Sequence, residues 1–369
     1  MIPRKRPETI ETQQSKVERF SRFNEGGIKM SKLVKMFAAA AAIAVIGMLS
    51  VLPSTPAQSS DQVFRWRYGI YFPSMTSLEG RHATMFVKAV YERTKGRLLI
   101  DVFPGGMLGY SAYTHHRVVR DGLLEMGTTM SAAMIEAPEW ETLSHVLLFR
   151  TREDAVKAWE IAFPELERAA LDKFNVKLLG SLIPEFDYMF SKAPMPTVAD
   201  WKGHKFRAWH KQLACWFEQM GATPMVIPFH EAYTALSTGQ VEGNSGMFKA
   251  ALDLKFHEVM KFVSTGWKPN MPFFVTVVNK DAWNKLPADL QKVLAEEGEK
   301  YFNSTSMDYW NAWPQSLKKL VKKGVTKVDV SPAELKKGRD LAQKCWKKWM
   351  DGTTPKAAAL MKRIMAALK

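Results

Sequence analysis

The chain has 369 residues, 46% hydrophobic and 24% charged, a composition suited to a globular protein with a sizeable core and about two domains. Its formal charge of +15 is confined to the ends: residues 1–57 hold nine Lys/Arg against four acids and residues 315–369 fifteen against four, leaving 28 basic and 29 acidic residues in 58–314. A near-neutral body excludes a phosphate-binding stripe and with it nucleic-acid recognition, and two cysteines exclude a disulfide framework or a Cys-based zinc site.

The N-terminus carries an apolar run, residues 36–52, preceded by Lys32 and Lys35 and followed by Thr55-Pro56-Ala57. A positive flank, an apolar core and small residues before the junction describe a secretory signal peptide cleaved after Ala57, with the mature chain beginning near Gln58. The run is short and Ala-rich for a membrane span. Residues 1–29 add nothing to export, and Met30-Ser31-Lys32 reads as the true start.

Along the mature chain, residues 63–70 alternate aromatic and basic side chains at the period of a strand. The turn 71–76 leads to a helix from about Ser77, in which Ala83, Phe86, Val87, Val90 and Tyr91 recur at helical spacing before Gly96. A second strand over 98–103, the turn Pro104-Gly105-Gly106, a helix before Gly122 and a third strand over 123–130 follow. The β-α-β-α-β order predicts a parallel sheet with right-handed crossovers. Next come a helix over 153–163, a strand over 176–180, and prolines 184, 194 and 196 marking the passage to a second unit. Residues 273–278 read as a strand and 287–310 as one long helix that Pro314 interrupts; a helical hairpin ends the chain. Lys318-Lys319 and Lys347-Lys348 read as solvated helix faces. Cys215 and Cys345 could pair in an exported chain, but both fall in helix-like segments and read first as small buried hydrophobes.

The stretch 200–246 carries most of the functional signal. A short basic strand brings Arg207 to its C-terminal end, followed by a helix, an apolar strand over 225–227 and a helix that Gly239 can stop. Ligand contacts in open α/β sheets lie at such strand ends, and a planar guanidinium donates two parallel hydrogen bonds to a carboxylate. Arg207 is therefore the candidate carboxylate anchor; the competing reading is a surface ion pair with an acid such as Glu185. Other chemistry is missing. His230-Glu231 lacks the second histidine of a zinc protease. Gly243-Asn244-Ser245-Gly246 lacks the spacing of a nucleophile elbow. No phosphate loop or dinucleotide fingerprint occurs, His115-His116 diverge on a helix, and Glu185 and Asp187 alone do not assign an acid and a base. No enzyme activity, metal or cofactor is expected.

Ordered motifs then mark a family. They are Glu92-Arg93-Thr94-Lys95-Gly96-Arg97, Phe103-Pro104-Gly105-Gly106-Met107-Leu108-Gly109, Leu148-Phe149-Arg150, Asp200-Trp201-Lys202-Gly203-His204-Lys205-Phe206-Arg207, Pro228-Phe229-His230-Glu231-Ala232-Tyr233-Thr234-Ala235-Leu236 and Thr238-Gly239-Gln240-Val241-Glu242-Gly243. From about Phe64 to Asp340 the chain resembles the DctP-like solute-binding proteins of TRAP (tripartite ATP-independent periplasmic) transporters. The resemblance implies an α/β, two-domain periplasmic binding protein fold with a ligand cleft between the domains and a long helix spanning them. It places domain I at 58–184 plus 273–312 and domain II at 185–272 plus 313–369. It further implies periplasmic capture of an organic acid and delivery to a TRAP membrane permease driven by an ion gradient. A secreted hydrolase on the same fold and a sensor component are the alternatives.

Arg207 falls on the family's ligand-carboxylate arginine, and Phe229 on a position that often packs against the solute. Two positions depart from the pattern: Asp187 stands where many carboxylate binders carry a second arginine, and Gly246 where an asparagine is frequent. Trp209 replaces a common proline. The missing cation and amide argue against a small dicarboxylate. Tyr71, Phe72, Phe186, Tyr188, Trp209, Phe229 and Trp267 are candidates for an aromatic-lined pocket, so the expected solute is a monocarboxylate or similar acid with an apolar or aromatic body; several of these rings are equally suited to the core.

Overall fold

The computed structural model describes residues 62–369, Pro73 and the side chain of His230 apart. The leader, with its apolar run, the cleavage site after Ala57 and the start at Met30, lies outside the described residues. Residues 62–369 form one compact unit.

Strand β1 (Phe64–Gly69) turns Trp66 and Tyr68 inward and Arg65 and Arg67 outward, as its alternation predicts. Helix α1 (Leu78–Arg93) starts where the Ser77 hydroxyl accepts the Gly80 N–H. Then follow β2 (Leu98–Phe103), α2 (His115–Arg120), β3 (Met126–Met130), α3 (Arg152–Phe174) and β4 (Val176–Leu182). The chain continues with β5 (Tyr188–Ser191), β6 (Lys205–Ala208), α4 (Lys211–Gln219), β7 (Thr223–Val226), α5 (Ala232–Ser237), β8 (Gly243–Gly246), α6 (Phe248–Asp253) and β9 (Phe262–Ser264). It returns through β10 (Phe274–Asn279), α7 (Lys280–Lys285) and α8 (Ala288–Lys322), and ends with β11 (Thr326–Val328), α9 (Pro332–Gly352) and α10 (Pro355–Ala367).

Among the described residues the strands make two sheets, ordered β2-β1-β3-β10-β4 and β11-β9-β5-β8-β6-β7. In the first, β1 runs parallel to β2 and β3, as the strand–helix alternation requires, while β10 returns antiparallel to β3 and β4. In the second, β6 lies parallel to both β7 and β8, and β5 is antiparallel to β8 and β9. Helix α8 packs on α1 and β4 of the first sheet's layer and on α6 of the second, so it spans both lobes.

Two helices run through prolines expected to end or interrupt them. Helix α3 extends past Pro164 to Phe174, and α8 past Pro314 to Lys322. An internal proline costs about 3 kcal/mol. Burial of Leu166 and Phe174 in α3 and of Leu320 in α8 opposes that cost, since each large apolar side chain buried is worth roughly 1.5–3 kcal/mol.

Cys215 of α4 and Cys345 of α9 form a disulfide, which corrects the reading of both as free buried residues. Each lies on the face where the two helices pack together, and their Cα atoms stand 6.1 Å apart, within bridging distance. The C-terminal hairpin thus clasps both layers: α9 holds α4, and α10 packs on α3, with Arg363 paired to Glu165.

Candidate functional site

Arg207 sits on β6, one strand in from the edge of the second sheet, flanked by β7 and β8, and only Lys205 of the strand's four residues is exposed. The side chain is 1% exposed, so the surface ion pair considered as its alternative is excluded. Its Nε donates to the Ile227 carbonyl at 2.8 Å and its Nη1 to Asn244 Oδ1 at 3.0 Å. Asn244 is Arg207's register partner on β8, and the pairing of strands puts the two side chains together. Two buried donors remain without a partner: Arg207 Nη2 and Asn244 Nδ2. Among the described residues no carboxylate comes within ion-pair range of Arg207, and the Phe229 ring covers its guanidinium with the ring centre 5.7 Å away.

A narrow cleft, whose roughly 340 Å³ of non-atom space is partly open to solvent, lies beside this group. Its polar part is Arg207, Asp187, Trp209 and Ser245; its apolar walls include Tyr71, Phe72, Met130, Phe229, Met247 and Phe274. The Trp209 indole N–H reaches both Asp187 Oδ2 and Ser245 Oγ at 3.1 Å, and the Ser245 hydroxyl donates to Asp187 Oδ2 at 3.4 Å. Burial pushes the Asp187 carboxyl up to about 7, opposed by the Arg207 charge and by the Trp209 and Ser245 hydrogen bonds.

The opposite wall is set by a buried acid of α1. Glu79 accepts the backbone N–H of Tyr71 at 3.3 Å and of Phe72 at 2.9 Å, fixing the turn that presents both rings. Burial raises its carboxyl to about 7 against those two bonds. Gly105 backs the same turn, because a Cβ there would stand 2.4 Å from the Tyr71 carbonyl oxygen. Tyr71, Tyr113 and Phe229 also face a larger outer space of about 1080 Å³ and form the partition between it and the inner cavity.

Of the residues singled out in the sequence, Arg207, Phe229, Trp209, Asp187, Gly246 and Tyr71 line this one cavity. Tyr188 does not. It is the first residue of β5, directly after Asp187, and is stacked on Phe248 with ring centres 3.9 Å apart. Phe72 joins the wall, whereas Phe186 packs near Trp310, and Trp267 lies in a core cluster with Trp201 and Trp216. The amide expected at 246 is supplied two residues earlier by Asn244. Gly246 leaves room in its place, since a Cβ there would meet Asn244 Nδ2 only at 3.5 Å. Sequence reading missed Asn244, Ser245, Tyr113, Met130 and Phe274; only the β6–β8 register would have pointed to the first. Among the described residues no group of three or more His, Cys, Asp or Glu side chains is placed to hold a metal ion.

Two lobes built on separate sheets, a helix spanning them and a buried cation beside a cleft define a two-domain α/β solute-binding protein. Residues 71–353 match the bacterial extracellular solute-binding proteins, family 7 (DctP), and the chain belongs to that family. It is 30% identical over 242 residues to the 2,3-diketo-L-gulonate-binding periplasmic protein YiaO of Escherichia coli, covering 64% of this chain and 72% of YiaO. The fold is that of DctP7 of Bordetella pertussis, an extracytoplasmic solute receptor binding pyroglutamic acid (TM-score 0.76, 21% identity, 82% of this chain and 100% of that one). It is equally that of a TRAP periplasmic solute-binding protein of Shewanella oneidensis with bound succinate (TM-score 0.76, 20% identity, 83% and 100%).

Proposed function

We propose that the chain is exported to the periplasm, captures an organic acid by docking its carboxylate on Arg207, and delivers it to a TRAP membrane permease. The observation that carries this reading is the buried guanidinium itself. Two of its nitrogens are held by Ile227 and Asn244, while Nη2 and the adjacent Asn244 Nδ2 stand unpartnered. A buried charge needs a counter-ion, and a carboxylate accepting from both donors gains charge-assisted bonds worth roughly 1.5–3 kcal/mol each.

Arg207 is the one cation among the described residues lining the cavity, and much of the wall is apolar. That supports an acid with a single carboxylate and a compact apolar body, selected by shape against Tyr71, Phe72, Phe229 and Phe274. The relatives support the acid: the solutes named for YiaO, DctP7 and the Shewanella protein all carry acid groups. We place the closing lobes on the two sheets, with 58–184 plus 273–312 as one and 185–272 plus 313–369 as the other. Among the described residues no helix is long and apolar enough to cross a membrane.

A ligand-induced melting screen of organic acids, followed by calorimetry, tests the proposal. The best acid is expected to lose at least tenfold in affinity for Arg207→Ala, from the loss of one or more charge-assisted bonds. Full affinity in a folded Arg207→Ala variant would rule out the carboxylate anchor.

A further inference from the structure

We infer that the solute carries, besides its carboxylate, a hydrogen-bond donor, an N–H of a lactam, amide or ammonium group, that Asp187 accepts inside the cavity. The inference rests on the reading of Arg207 as the carboxylate anchor and adds the class of the ligand's second polar group.

Asp187 is buried, 5% exposed, yet lines the same cavity as Arg207. Both side-chain donors that reach it, the Trp209 indole and the Ser245 hydroxyl, end on Oδ2. Among the described residues Oδ1 receives no hydrogen bond. The other side chains lining the cavity include Tyr71, Phe72, Tyr113, Met130, Phe229 and Phe274; of the two hydroxyls, that of Tyr71 donates towards Tyr113 at 3.5 Å, and neither is hydrogen-bonded to Asp187. Oδ1 is open to the cavity that Asp187 lines, so a ligand that presents a donor there completes the site.

The two ends of the cavity therefore differ in kind. At one end Arg207, with Asn244 beside it, has a donor without a partner, and at the other Asp187 in its ionised form presents an acceptor. A second carboxylate on the solute would meet a like group in a buried site, and a hydrocarbon body would leave Oδ1 unpaired. An acid with an N–H at the far side satisfies both ends. Trp209 and Ser245 also fix which oxygen is used. Their donors lock one oxygen and leave the other toward the ligand.

That lock supplies a specific test. In Asp187→Asn the side-chain oxygen takes the Oδ2 place, where Trp209 and Ser245 donate, so the new NH₂ faces the ligand. A donor then replaces an acceptor in a side chain of the same shape, and the preference for ligand groups should reverse. Four five-membered-ring acids serve as probes in calorimetric titrations: L-pyroglutamate, L-proline, cyclopentanecarboxylate and tetrahydrofuran-2-carboxylate, the last three with the same number of heavy atoms. For the wild-type chain at least one of the two N–H acids is expected to bind roughly tenfold or more tighter than the cyclopentane acid. For Asp187→Asn that advantage should vanish, and the ether-oxygen acid should rise above the cyclopentane acid.

Equal affinity of the N–H and CH₂ acids, with both lost in Arg207→Ala, would overturn the role of Asp187 and leave the carboxylate anchor standing. Retained affinity in Arg207→Ala would overturn the anchor and this inference with it. Binding by none of the four acids would also overturn it. The wild-type series decides the matter by itself if Asp187→Asn fails to fold.

Discussion

Asn244→Asp separates what the site does for folding from what it does for binding. In the wild-type chain Asn244 Oδ1 accepts from Arg207 Nη1 at 3.0 Å, while Arg207 Nη2 and Asn244 Nδ2 are buried without partners. Each unpartnered donor costs about 1–3 kcal/mol. An aspartate keeps the Nη1 bond, turns one orphan donor into an acceptor and gives the guanidinium an internal counter-ion. At about 4 Å and an effective dielectric of roughly 20 the attraction is about 4 kcal/mol, set against several kcal/mol to desolvate a new carboxylate. Urea unfolding should therefore place the variant within about 2 kcal/mol of wild type, the residue left when these terms oppose. Affinity for the best organic acid should behave quite differently. Losing a charge-assisted bond costs roughly 1.5–3 kcal/mol, a tenfold to hundredfold weakening, before any repulsion between the two carboxylates. Calorimetric titration at neutral pH measures it. A folded Asn244→Asp protein that binds the acid as tightly as wild type would refute the view that Arg207 is held without a counter-ion for the ligand's sake.

Three further outcomes follow from the same geometry. The Cys215–Cys345 bridge spans 130 residues, for which chain-entropy reasoning gives up to about 5 kcal/mol; a Cys215→Ser, Cys345→Ser protein should lose at least about 2 kcal/mol in urea unfolding, and no loss would mean the clasp contributes nothing. Glu185 is raised to about 8 chiefly by burial, with the Lys249 backbone N–H opposing and the Asp187 charge adding. The unfolded chain releases this proton near pH 4.5 and the native chain only near 8, so the native state binds more protons in that window and stability falls there as pH rises. Each pH unit crossed costs about 1.4 kcal/mol; Glu185→Gln should gain on wild type between pH 5 and 8, and parallel stability profiles would contradict the buried neutral acid. Phe229→Leu removes the ring over the guanidinium and should weaken acid binding by about twofold to fivefold, the scale of about 0.5–1 kcal/mol for such contacts; unchanged affinity would assign Phe229 to packing alone.

Arg207 was legible in the sequence because its run, Asp200 to Arg207, is local and because a basic strand end is where such sheets meet ligands. Its partner was not. Asn244 lies in Gly-Asn-Ser-Gly, a stretch without hydrophobic pattern, and becomes adjacent only through the parallel pairing of β6 with β8. The same long-range pairing explains why the amide missing at position 246 reappears at 244. Tyr188 shows the opposite error: aromatic character suggested the pocket, but Tyr188, the first residue of β5, stacks on Phe248, while Asp187 just before the strand lines the cavity. The strands of the first sheet were readable from alternation and turns to within a few residues. The helix ends were not, because Pro164 and Pro314 are strong local signals that burial of the following turns outweighs. The pairing of Cys215 with Cys345 depended on α9 folding back onto α4, which no local pattern encodes.

Crystals of the chain grown with the acid that binds it most tightly give the most direct measurement of all. The expected result is a carboxylate within about 3 Å of both Arg207 Nη2 and Asn244 Nδ2, its body against Phe229, Tyr71 and Phe274. A ligand whose carboxylate lies elsewhere, with Arg207 facing an uncharged group, would contradict the assignment of Arg207 as the anchor.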